Sequence, residues 1–97
     1  MAYNFLCRTE LSASWAKINR LVSKYDCLEA FPMDFPDSDI PALAISIPAK
    51  NVSVRAYREL VSAYKKLSRK YGFTFYDMYY DKVVDKAHLK ALVKELT

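Results

Sequence analysis

Apolar and polar positions change period several times along the chain, and each change marks a structural element. Tyr3 to Arg8 largely alternate aromatic or apolar with polar side chains and contain no breaker, which predicts a first strand. Thr9 can then cap a helix. From Leu11 to Tyr25 the apolar residues Leu11, Trp15, Ile18, Val22 and Tyr25 recur at threes and fours, with Lys17, Arg20 and Lys24 on the opposite side.

Cys27–Phe35 and Ala42–Ile47 read as short strands of a hairpin, separated by PDSDIP, whose Pro, Asp and Ser residues favour turns. Pro32 and Pro36 cannot donate to a ladder, so the first of these strands belongs at a sheet edge or is irregular. The second strand puts Leu43, Ile45 and Ile47 on one face and the smaller Ala42, Ala44 and Ser46 on the other.

After Pro48, Asn51 or Ser53 can cap a long helix carrying Val54, Tyr57, Leu60, Val61, Tyr64, Leu67 and Tyr71 on one side, with Gly72 as its left-handed stop. Phe73–Tyr80 is aromatic and strand-prone, with Tyr76, Met78 and Tyr80 expected on one face and Phe73, Phe75 and Tyr79 on the other. Asp85 can cap a final helix with an apolar stripe of Leu89, Leu92, Val93 and Leu96.

The resulting order predicts a two-layer α+β fold: a ferredoxin-like βαββαβ antiparallel sheet with an added C-terminal helix. Two helices would cover one sheet face, and the last helix is expected against the small Ala42, Ala44 and Ser46 face. If that face stays open instead, pairing with a second copy to give a homodimer is the alternative. The fold alone does not select a function.

With 97 residues, 53% of them hydrophobic, the chain is expected to form one domain over residues 1–97 with its own core. Eight Tyr, five Phe and one Trp can supply large buried areas, whereas a single Gly excludes glycine-loop architectures. Cys7 and Cys27 lack the spacing of a disulfide framework or zinc motif, although the two thiols can approach across paired strands; a reduced, cytoplasmic setting is expected. No apolar run reaches the length of a bilayer span, so no membrane partner is expected.

Charge adds the most distinctive pattern. The net charge is +4, and the long helix concentrates Arg55, Arg58, Lys65, Lys66, Arg69 and Lys70 against the lone acid Glu59. Lys17, Arg20 and Lys24 form an outer basic stripe on the first helix, and Lys86, Lys90 and Lys94 form one on the last. If the first two helices lie side by side, their stripes join into a surface for phosphates or carboxylates, with Arg55, Arg58 and Arg69 as its bidentate anchors. Asp26, Glu29, Asp34, Asp37 and Asp39 make the opposite pole, without the full spacing of a calcium loop.

Enzyme signatures are sparse. His88 is the only histidine and has no catalytic partner visible in the sequence, and there is no phosphate-binding glycine loop, G-x-S-x-G elbow or H-E-x-x-H helix. A metal-dependent nuclease would need remote carboxylates such as Glu10, Asp77 and Asp81 to converge.

The sequence therefore predicts a non-enzymatic binding protein without cofactor or metal. It would dock through Arg55, Arg58, Lys65, Lys66, Arg69, Lys17, Arg20 and Lys24 onto an acidic protein, nucleic acid or nucleoprotein complex, as a small inhibitor or adaptor. Tyr76 and Tyr80 are candidate aromatic contacts, although an RNA-recognition signature is absent. The alternatives are direct, sequence-nonspecific DNA or RNA binding and the metal-dependent nuclease.

Overall fold

The computed structural model describes residues 3–10, 15–33 and 42–95. The elements are β1 (Tyr3–Arg8), α1 (Trp15–Val22), β2 (Glu29–Met33), β3 (Ala42–Ile47), a 3-10 turn (Ala49–Asn51), α2 (Val54–Tyr71), β4 (Thr74–Asp77), β5 (Lys82–Val83) and α3 (Lys86–Glu95). Leu11 and Leu96, the PDSDIP turn, Phe35 and the acids Asp34, Asp37 and Asp39 lie outside the described residues.

Among the described residues the architecture is α+β, a five-stranded antiparallel sheet with three helices, and the strand order is β2-β3-β1-β4-β5. Period-two alternation gives the sheet its buried side, where Phe5 and Cys7 of β1, Leu43, Ile45 and Ile47 of β3, and Phe75 of β4 are all sealed from solvent. Ile18 and Val22 of α1, Ala56, Leu60, Ala63 and Leu67 of α2, and Leu89 and Leu92 of α3 complete the same core. A net apolar burial of this kind is the main favourable term in the fold.

α2 has the ends that its sequence specifies. The Ser53 hydroxyl accepts the Ala56 N–H at 3.1 Å, and Gly72 adopts φ 67°, where its own N–H bonds the Ser68 carbonyl. Asp85 starts α3 by accepting the His88 N–H on its carboxylate at 2.7 Å. The Thr9 hydroxyl donates to the Tyr71 carbonyl, tying the end of β1 to the end of α2, and the cap expected of Thr9 falls on residues 11–14, which lie outside the described residues.

Two expectations are corrected. The strand expected over Phe73–Tyr80 ends at Asp77, because the Asp77 carboxylate accepts the N–H groups of Tyr79 and Tyr80 at 2.9 and 3.0 Å and folds the chain into a turn. Asp81 closes that turn at φ 55°, and the chain returns as a fifth strand, β5, that the sequence reading did not include. The last helix also takes the other side of the sheet from the one expected. The Val84 N–H bonds the Phe75 carbonyl at 2.8 Å, holding the chain against β4, and α3 then buries Leu89 and Leu92 beside α2 in the common core.

The second sheet face is consequently left without a helix among the described residues. Strand register aligns Phe31, Ala44, Leu6, Tyr76 and Val83 in one row across all five strands on that face. Phe31 and Val83 are exposed, whereas Leu6, Ala44 and Tyr76 are half-buried.

Candidate functional site

The cations of α2 divide into two sets because of where helical geometry sends them. At 100° per residue, Arg58, Lys65 and Arg69 fall within about 40° of one another, while Arg55, Lys66 and Lys70 cluster roughly 90° away. The first set faces α3. Together with Lys86, Lys90 and Lys94 of α3 it lines a groove of about 640 Å³ between the two helices, floored by Val61, Tyr64, Leu89 and Val93. Among the described residues, none that lines the groove is acidic.

Arg55 and Lys66 of the second set meet partners on the α1 side. Arg55 contacts Asp26 at 2.8 Å and Glu59 at 3.2 Å, so two carboxylates of the same chain already neutralise it. Glu59 also accepts the Cys27 N–H at 3.1 Å, and the Lys66 ammonium lies over the Tyr25 ring, 5.5 Å from its centroid. Lys17, Arg20 and Lys24 are exposed and do not line the groove. The groove therefore joins α2 to α3, where the sequence reading had joined α2 to α1. Lys86, Lys90 and Lys94, a basic stripe in the sequence, belong to this groove in addition to the residues expected to dock.

The aromatic candidates separate. Tyr76 lies on the open sheet face, and its hydroxyl donates to Asp81. Tyr80 sits in the turn after β4 on the helix side, its ring 5.4 Å from that of His88 and 5.0 Å from that of Tyr79. They do not form one stacking row.

His88 does have a partner. Its Nε2 lies 2.6 Å from Asp77 Oδ2, and the Tyr3 hydroxyl donates to the same oxygen at 2.7 Å. Burial favours the neutral carboxyl of Asp77, but hydrogen bonds from His88, Tyr3, Tyr80 and Tyr79 outweigh it and hold the group below the usual carboxylate range. Tyr3 is pushed well above the ordinary phenol value, first by burial and then by its bond to Asp77. Both oxygens of Asp77 are thus engaged within the chain, in a tyrosine-lined setting that ties β1, β4 and α3 together. Glu10 lies beyond the far end of β1 from Phe5, the strand partner of Asp77, so the carboxylates named for a nuclease do not gather.

No family model, curated protein or solved structure matches the chain. The site must speak through its own chemistry.

Neither thiol is set up to ionise, and Cys27 is only half-buried. Cys7 is fully buried and its thiol is pushed well up by desolvation; Cys27 is raised by desolvation and then by Glu59. They do not face each other across paired strands, because β3 separates β1 from β2 and Cys27 precedes β2. Among the described residues there is no cluster of three or more His, Cys, Asp or Glu side chains able to hold a metal, and no helix long and apolar enough to cross a membrane.

Proposed function

We propose that the protein is a non-enzymatic docking module that holds an acidic partner in the groove between α2 and α3, acting as a small inhibitor or adaptor by covering part of a larger assembly. The observation that carries this reading is the convergence of cations from two helices on one groove whose lining, among the described residues, includes no acid. Lys65 with Arg69, and Lys86 with Lys90, are like-charged pairs four residues apart, each unfavourable by a few tenths of a kcal/mol. An anionic partner turns that repulsion into attraction and accelerates encounter. The fold that we propose behind the groove is the split βαβ plan, extended by β5 at one edge and by α3 beside α2.

A double charge reversal, Arg58→Glu with Lys90→Glu, tests the reading. Affinity purification before and after nuclease treatment is expected to retain a bound protein in both samples and to lose it with the double variant, with thermal melting confirming that the variant folds. The direct nucleic-acid alternative uses the same cations. It predicts instead that nuclease strips the partner and that duplex affinity falls with a log–log salt slope near about −5 for six neutralised phosphates. Recovery unchanged by the double reversal would reject the groove as the docking surface.

A further inference from the structure

Resting on that docking reading, we infer that the groove between α2 and α3 takes an acidic amphipathic helix from a partner protein. The lining has two chemistries, and both need an occupant. Arg58, Lys65 and Lys90 offer positive charge along the rims, while Val61, Tyr64 and Val93 are half-buried along the floor. A phosphodiester backbone satisfies the rims and leaves the apolar floor unmatched, because its charged groups are spread along a strand with hydrated sugars between them. A helix with an apolar stripe and carboxylates on either side matches floor and rims together.

The dimensions agree with this occupant. Arg58 and Arg69 are eleven residues apart on α2, about 16 Å or three helical turns, which sets the recognised segment at about three turns. Guanidinium groups at the two ends of the rim can grip carboxylates in bidentate fashion, so the partner helix is expected to carry Glu or Asp near both ends of its apolar stripe.

Three labelled probes test the assignment on the full chain. One is a peptide of about four helical turns with Leu at i, i+4, i+7 and i+11 flanked by Glu. The second has the same composition in scrambled order, and the third is a mixed-sequence DNA duplex. Fluorescence anisotropy is expected to show the patterned peptide bound at least about tenfold more tightly than the scramble. Val61→Ser with Val93→Ser should weaken the patterned peptide by about tenfold and leave duplex binding unchanged.

Equal affinity for the two peptides, or tighter binding of the duplex, overturns the helix assignment while leaving a charge-reading groove in place. Binding of every probe that is indifferent to Arg58→Glu with Lys90→Glu overturns the docking reading as well. The comparison of peptides on the unsubstituted protein decides the point even where the serine variant folds poorly.

Discussion

The imidazole of His88 on α3 reaches the fully buried carboxylate of Asp77 at the end of β4, Nε2 to Oδ2 at 2.6 Å. Asp77 is held ionised at neutral pH by its donors, so Nε2 carries the proton and donates. This contact fixes one wall of the groove, because the helix that supplies His88 also supplies Lys86 and Lys90. The same carboxylate ends β4 by capturing two backbone N–H groups, so a single side chain sets both the turn and the seat of α3.

Replacing Asp77 should therefore cost more than an average buried side chain. Asp77→Ala strands the donors of His88, Tyr3, Tyr79 and Tyr80, and the expected loss is about 3 kcal/mol or more. Urea denaturation measures it through the midpoint. A double-mutant cycle with His88→Ala should give a coupling of about 1 kcal/mol or more, and additive losses would mean that the two side chains act independently.

The pH dependence follows from the lowered Asp77 value. A carboxylate whose folded value lies below its unfolded value of about 3.9 adds stability that is complete well above pH 4 and is lost as pH falls through the folded value. Unfolding free energy measured from pH 6 down to about pH 2 should accordingly decline more steeply in the unsubstituted protein than in Asp77→Asn. Parallel curves would show that Asp77 carries no excess proton linkage.

The elements that read clearly from sequence were those whose signals are local. The Ser53 cap, the Gly72 stop, the Asp85 start of α3 and the bulky and small faces of β3 each depend on a few neighbouring residues. Asp77 reads from sequence only as one of several carboxylates that could converge, because β-prone aromatics surround it and nothing local announces that its carboxylate ends β4 and bonds His88, eleven residues on. The groove was half visible. Its cations are legible as stripes, but the one broad stripe on α2 is two narrow ones, and the placement of α3 beside α2 depends on how the chain after β4 folds back against that strand. The Arg58, Lys65 and Arg69 spacing of seven and four was the available signal.

Both ends of α2 bear on the groove, since that helix supplies half of its rim. Ser53→Ala removes the acceptor for the Ala56 N–H and should cost about 1 kcal/mol. Gly72→Ala puts a Cβ on a residue at φ 67° and should cost about the same. By calorimetry each change should lower the melting temperature by about 4–8 °C. A shift below about 2 °C for Gly72→Ala would show that the helix end relaxes around the new side chain.

Cations on the two sides of α2 should contribute unequally to docking. Arg58→Glu and Lys90→Glu each put an acid into the groove lining and should weaken the patterned acidic peptide by about tenfold or more. Lys24→Glu should change affinity by less than about twofold at physiological salt. Lys24 precedes Tyr25, whose hydroxyl meets Ser62 on the α1 side of α2, and the width of a helix, about 10 Å, exceeds the screening length there. Arg55→Gln should likewise have little effect, because Asp26 and Glu59 already hold that guanidinium. Titrations of the four single variants against one labelled peptide measure all of this together. Equal losses from Lys24→Glu and Lys90→Glu would mean that the peptide responds to net charge and has no fixed seat between α2 and α3.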